Sequence, residues 1–466
     1  MVGSTGGVTR GAVLRSGATA LTMGTLAAAC APVGGPGSNP VQVKEDVTLT
    51  AVLRPNQLEQ SLQQQAIASF TQKYPNIHVD PVLATSDVLV DKTDALVLAG
   101  TPPALWWPGG ARGYRYYASR GLLQELDAYV SRDHYDLSDF YQRLLTFCKW
   151  NGKLTCLPKD VWPGVLTYNK TILEREQIPL PTRDWNDKSW TATKYMDAAV
   201  RATKRNGDTI VQGGTDLPFG GSRFLSQVFG GDWYDPDAYT SGYPKQFAPQ
   251  RQAVIDGVQW VADARLKLRA WPTDAEMASL KGGNASLTSM QTGKVAFVFA
   301  TPGSNAAWLD VRDFQWGIAA VPVPPTPPGL PRNHYFLANQ WCTFKGVPNT
   351  DAAWLLVKHM TSPEALRLWP LGQGILPSRK SLATEWSKFT LGKSSLTDAD
   401  VKVVIDAVDQ TKISDSHAIV ESARIFNDVI KPEQDKVLAG EQPMSVAMAK
   451  MAPVAESVIR ETTPKS

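Results

Sequence analysis

The chain has 466 residues, 43% of them hydrophobic and 20% charged, a balance that suits a folded body with room for two or three cores and argues against a disordered chain or a membrane-embedded bundle. The formal charge is +3, two of the positive charges being Arg10 and Arg15 near the amino terminus, so bulk electrostatics point to no nucleic-acid partner. Tryptophan is over-used, with 15 Trp against 14 Phe and 13 Tyr, and some of those rings are expected to do more than fill a core.

Residues Ala18 to Ala29 form a short apolar run that follows Arg10 and Arg15 and ends in Ala27-Ala28-Ala29-Cys30. This is the layout of a secretory signal peptide over 1–29, too short for a spanning helix of roughly 20 residues. A cysteine directly after small residues resembles the lipobox of bacterial lipoproteins. That resemblance implies acylation of Cys30 and a lipid anchor on the outer side of a cell membrane, with a plain cleaved signal as the alternative. The departure is Ala27, where lipoproteins favour a larger aliphatic residue. Residues 30–45 are rich in Gly and Pro, lack side chains with which to build a core, and read as a flexible tether.

Val47 to Leu53 alternates as a strand, Gln57 to Lys73 has helical apolar spacing, and Ile77 to Leu83 is a second strand. Asp87 to Ala99 is helical and Ala104 to Trp107 short and apolar. Such alternation predicts an α/β lobe with parallel strands, whose ligands would sit beyond the carboxyl ends of the strands. Trp106, Trp107 and Arg112 fall at one such end and are candidate binding residues. Asn151-Gly152 is a hairpin signal, since both residues tolerate positive φ. A three-residue loop there would set Cys148 opposite Cys156 and allow a disulfide in an oxidising compartment; a strict two-residue turn would offset them by one. Cys342, in an apolar run, reads as a buried thiol. Leu157-Pro158 should interrupt pairing and begin a crossover, with Lys159 and Asp160 beside it as candidates.

A second lobe is expected to start there. It would hold strands Val165 to Tyr168 and Thr209 to Val211, helices Lys170 to Gln177, Thr193 to Asn206 (with Thr191 as cap), Ser222 to Phe229 and Gln250 to Leu268, and the uncharged run Val295 to Ala300, which suits a strand buried on both faces. Gln315 to Val321 is again extended, Pro322 to Pro331 holds six prolines, Tyr335 to Phe344 is extended, and the chain from Asp351 is mostly helical. The five histidines show no metal-ligand spacing, no paired Cys-x-x-Cys occurs, and no Gly-x-Ser-x-Gly elbow is present, so no metal, cofactor or nucleophilic triad is expected.

The ordered set Phe70 to Val79, Gly100-Thr-Pro-Pro103, Gly121 to Asp127, Gly152 to Pro158, Tyr168-Asn-Lys170, Gly230-Gly231, Gly293 to Phe297, Asp351 to Lys358, Leu376-Pro-Ser-Arg379 and Gly440 resembles bacterial extracellular solute-binding proteins of the maltose and multiple-sugar type, the receptors of ABC importers. The resemblance implies two α/β lobes, each a mainly parallel sheet flanked by helices, with discontinuous segments 46–157 and 300–336 in one lobe and 158–299 and 337–466 in the other. It implies chain crossings near Thr155 to Pro158, Val298 to Thr301 and Tyr335 to Ala338. It also implies a monomer that closes on a mono- or oligosaccharide, delivers it to a membrane permease and catalyses nothing. By position in the family, the ligand would meet Trp106 or Trp107, then Trp162, which stands where the maltose receptor has an acidic contact, then Gly303, Ser304, Asn305 and Trp308. Trp233 and Trp341 are added from their location alone. The alternatives are the same fold with a non-sugar solute, such as a phosphorylated polyol, a peptide or an organic cation, and an exported carbohydrate-active enzyme with two carboxylates in a cleft.

Overall fold

The computed structural model describes residues 42–108, 113–216, 226, 229–285, 287–301, 306–324, 332, 335–413 and 418–464. Cys30 and the expected leader lie outside these residues, as do Arg112, Gly303, Ser304, Asn305 and most of the helix expected over 222–229. Among the described residues no helix is long and apolar enough to cross a membrane.

Among the described residues fourteen strands occur in chain order: β1 (Val47–Leu53), β2 (Ile77–Leu83), β3 (Leu105–Trp106), β4 (Lys149–Trp150), β5 (Lys153–Leu154), β6 (Cys156–Pro163), β7 (Val165–Asn169), β8 (Lys204–Asn206), β9 (Thr209–Asp216), β10 (Val295–Ala300), β11 (Trp316–Ala319), β12 (Tyr335–Cys342), β13 (Leu376–Pro377) and β14 (Lys412–Ile413). The larger sheet runs β13-β6-β12-β3-β1-β2, with β14 also on β12, and the smaller runs β11-β7-β10-β9-β8. β10 lies between β7 and β9 with all six residues buried, the outcome expected of a continuous uncharged run. Helix Gln57–Lys73 returns β1 to the parallel β2, its end capped by the Asn56 side chain on the Glu59 amide. Thr191 likewise caps helix Ala192–Ala202.

Each sheet carries its own core, Leu49, Phe70, Trp106, Trp341 and Trp354 among the residues of the first, Tyr168, Tyr195, Phe297, Trp308 and Trp316 among those of the second. The fold is therefore a two-lobe, mixed α/β arrangement. The sheets are less uniformly parallel than expected. β1 with β2 and β3, and β9 with β10, are parallel, but β12 is antiparallel to β3 and β6, and β7 to β10 and β11. The antiparallel pairs arise where the chain leaves one sheet and comes back to it, so that outgoing and returning strands lie side by side.

Those pairings redraw the expected lobe limits. Pairing does not stop at Pro158; β6 stays in the larger sheet to Pro163, and the chain passes to the smaller sheet at Val165. Pro158 is tolerated because it adjoins a bulge and lies beyond the two residues, Asp160 and Val161, that β13 pairs. β10 and β11 both belong to the smaller sheet, so strand order shows no change of sheet near 298–301. Residues 316–319, expected in the first lobe, pair with β7, whereas β12 and helix Thr350–Met360, expected in the second, join the larger sheet and its core.

The Asn151-Gly152 turn is the strict two-residue form, with φ 48° and 77° and Trp150 opposite Lys153. That register offsets Cys148 from Cys156, and the disulfide that a three-residue loop would have allowed between them is absent. Cys156 is bonded instead to Cys342, its direct partner across β6 and β12, and Cys148 is a buried free thiol. Cys342→Ala is expected to lower the unfolding free energy by about 2–4 kcal/mol, the usual loss for a bridge closing a long loop; thermal melts identical to wild type, with and without reductant, would refute the pairing.

Asp133 accepts bonds from Trp354 Nε1 (2.8 Å), Lys358 Nζ (2.5 Å) and Arg132 Nε (2.9 Å). Burial would raise its pKa, but these bonds outweigh it and hold the carboxyl at about 2. The folded value lies below the unfolded one, so this group stabilises the fold above roughly pH 4 and ceases to do so as pH falls towards 2. Asp133→Asn should therefore lose stability near neutrality and show a shallower acid limb in urea titrations; a limb of unchanged slope would count against it.

Candidate functional site

The strand pair that carries the chain between the sheets also carries a buried polar cluster. β6 is buried along its length apart from a half-buried Trp162. Its pairing with β12 slips between Asn339 and Gln340: Asp160 faces Asn339, Pro158 faces Gln340, and Lys159 is the extra residue. A bulge of this kind lets two successive side chains leave the same side of a strand, and the contacts follow. Asp160 Oδ1 accepts from Trp162 Nε1 at 2.6 Å and from Asn339 Nδ2 at 2.5 Å. Lys159 Nζ is 3.8 Å from Asp160 Oδ2 and 3.5 Å from Glu59 Oε1, and lies 4.7 Å and 4.1 Å from the ring centres of Trp341 and Trp369.

Glu59 enters from the first turn of helix Gln57–Lys73, where a carboxylate suits the positive end of the helix. It also accepts from Gln63 Nε2 at 3.1 Å and lies 3.5 Å from Arg54, which follows β1. Arg54 in turn sits 5.0 Å from the centre of the Trp107 ring. Burial is the main influence on the central pair: it lowers the pKa of the Lys159 ammonium and raises that of the Asp160 carboxyl, against the mutual attraction that favours their charged forms.

Several buried polar atoms here lack a hydrogen-bond partner: Asp160 Oδ2, Gln63 Oε1, and the indole nitrogens of Trp107, Trp341 and Trp369. Partially exposed Arg54, Trp162 and Asn339 adjoin them. Leaving such groups unpaired costs about 1–3 kcal/mol each, so the arrangement favours a ligand that supplies both donors and acceptors beside flat apolar surfaces. Among the described residues no group of three His, Cys, Asp or Glu could hold a metal ion.

Of the residues singled out from sequence, Trp107, Lys159, Asp160, Trp162 and Trp341 are brought together here. Three others are core side chains instead. Trp106 is 1% exposed, donates to Thr93 Oγ1 at 3.1 Å and packs edge-on against Tyr117 and Phe344, because the register of β3 turns it inward. Trp233 is stacked with Phe247, and Trp308 donates to Thr288 Oγ1 at 2.6 Å and meets Trp316 edge-on. All tryptophans except Trp150, Trp162 and Trp260 are buried, so their abundance mostly serves packing. Sequence reasoning missed Arg54, Glu59, Gln63, Asn339 and Trp369. Arg54 follows a strand and Glu59 and Gln63 are spaced i, i+4 on the next helix, a usable signal; Trp369 carries none.

Solved structures share this fold. An ABC substrate-binding protein from Listeria monocytogenes in complex with cycloalternan is 17% identical, covering 90% of this chain and 99% of that one at a TM-score of 0.70. The GacH receptor of Streptomyces glaucescens, solved unliganded and with acarbose, is 20% identical over 90% and 100% at 0.66. The maltose/maltodextrin-binding domain MalE of Bdellovibrio bacteriovorus, bound to maltotriose, is 18% identical over 89% and 100% at 0.67. Residues 55–366, more than half of the chain, match the family of bacterial extracellular solute-binding proteins. With its two-lobe fold and that match, the chain belongs to the bacterial extracellular solute-binding protein family, whose members work outside the cytoplasm.

Proposed function

We propose that this protein is the receptor of an ABC importer for a carbohydrate, a mono- or oligosaccharide held between the two lobes and handed to the membrane permease. The observation that carries the reading is the β6–β12 cluster, where a half-buried indole is pinned by a carboxylate amid unpartnered donors and acceptors. Sugars present apolar C–H faces ringed by hydroxyls and need that combination. Proteins of similar fold bound to cycloalternan, acarbose and maltotriose support it. Contacts made only in the closed state would shift the population towards closure, which is the signal a permease can read.

In this reading Trp107, Asp160, Trp162 and Trp341 contact the ligand, together with Arg112 and the Gly303, Ser304 and Asn305 segment. Cys30 is acylated and the Gly/Pro-rich residues after it tether a monomer to the membrane. In this reading no catalysis is involved: Glu59 and Asp160, the carboxylates of the cluster, both face the same Lys159 ammonium, at 3.5 Å and 3.8 Å. Arg54 and Lys159 give a specific reason to include a phosphorylated polyol beside the sugars.

A thermal-shift screen over neutral sugars and phosphorylated polyols should raise the melting temperature with a neutral sugar and leave that sugar chemically unchanged. A response confined to charged solutes, or hydrolysis products, would overturn the reading. Trp162→Phe keeps an aromatic face but loses the bond to Asp160, and Trp162→Ala loses both. Affinity by calorimetry should fall in that order, by about tenfold or more for the alanine variant, and equal affinities would remove Trp162 from the site. Asp160→Asn, which replaces a charged acceptor with a neutral one, should weaken binding by about 10- to 100-fold, on the order of 1.5–3 kcal/mol, and a smaller effect would argue against direct contact.

A further inference from the structure

Asn339 and Gln340 leave β12 on opposite sides. Asn339 meets Asp160, whereas Gln340 Nε2 donates to the Phe147 carbonyl at 3.4 Å. Behind the strand, away from the cluster, Phe147 opens on a cavity of about 490 Å³, within the size range of small-molecule sites. One wall is Arg115, Arg143, Phe147 and Lys149; the other includes Tyr239 and Thr240. Arg115 follows Tyr114 of the first core, and Ala238, beside Tyr239, belongs to the second.

Among the described residues no acidic side chain lines this cavity, although three cationic ones do. Arg115 is the anomaly. It is 4% exposed, yet its Nε has no partner and Nη1 makes only a 3.4 Å bond to the Thr240 carbonyl. Its guanidinium lies over the rings of Trp150 and Tyr114, at 5.1 Å and 5.5 Å, and among the described residues no carboxylate forms an ion pair with it. Arginine cannot shed its proton to escape such a place, and a buried charge is normally paired. Arg143 is half-buried, donates to the Val408 carbonyl at 2.7 Å and feels Asp409 through space. Lys149 is exposed on the rim. Phe147 and Tyr239 add apolar faces.

We propose that this cavity is a second ligand site, separate from the Asp160 cluster, for a small organic oxyanion: a carboxylate or phosphate on a short apolar or aromatic body, its oxygens paired with Arg115. The charged end supplies the missing partner, and Arg143 and Lys149 steer it in. Because the walls come from both cores, an occupant contacts the two lobes at once. The proposal stands independently of the carbohydrate reading.

The test uses benzoate and inorganic phosphate on the full chain, at ionic strength held constant with chloride so that screening is the same throughout. Binding is followed by calorimetry and by the fluorescence of Trp150, which adjoins Arg115. At least one probe should saturate at millimolar concentration. Arg115→Gln should weaken it by about tenfold or more, and Lys149→Gln by a smaller factor. Saturation by benzoate alone assigns the carboxylate class, and by phosphate alone the phosphate class. No saturation by either probe, or binding to Arg115→Gln as tight as to wild type, overturns the proposal. Should Arg115→Gln not fold, the Arg143→Gln/Lys149→Gln double variant takes its place under the same criterion.

Discussion

The pairing of β6 with β12 is the constraint on which the remaining architecture depends. These two strands lie side by side in the larger sheet, and next to them the chain enters and leaves the smaller one. At one end they are joined covalently through Cys156 and Cys342; towards the other, a one-residue slip puts Lys159 and Asp160 on a common face. A regular ladder would have sent one of those charges to each side. The bulge thus creates a polar focus where two separately packed bodies meet.

That focus is costly for the fold. Burial disfavours the charged form of both Lys159 and Asp160, and nearby indole N–H groups have no acceptor. Ion pairs taken out of water rarely repay their full desolvation cost, so a fold selected for stability alone would be better served by apolar side chains of similar volume. Retaining charge and unused hydrogen-bonding capacity at this level of the hinge strands makes sense for a surface completed by another molecule. The same logic separates the two polar regions. In front of β12 the deficit is mixed, acceptor and donor; behind it, around Arg115, the deficit is purely cationic.

Much of the fold was legible in the residues because its determinants are local. The continuous apolar run of β10, the Asn151-Gly152 turn and the Thr191 cap each depend on a few neighbouring side chains, and each formed as expected. What was misread depends on partners distant in sequence. Pro158 looked like a stop because its missing donor is visible in the chain, whereas the bulge that accommodates it is made with Gln340. Cys148 and Cys156 were a possible pair because they flank one turn, whereas the partner of Cys156 is 186 residues away. The site followed the same division. Of the candidates, Asp160 was singled out by its place near a crossover and Trp162 by its position in the resembled family, while Trp106, Trp233 and Trp308 could not be told from cleft residues, since inward and outward turns of an indole leave no mark on its neighbours. Trp369 reaches Lys159 only through tertiary packing.

The separation of Cys156 from Cys342 bears on how the molecule is made. As the chain emerges, Cys156 appears 186 residues before its mate, with Cys148 close by throughout that interval. An oxidant could join the two early thiols into a nine-residue ring that the finished hairpin cannot accommodate, and maturation then requires thiol–disulfide exchange to correct it. Once folded, burial raises the Cys148 thiol well above its ordinary pKa, so almost no thiolate is present to attack the mature bond. The packing that hides this sulfur therefore also makes the correct linkage, once reached, hard to undo.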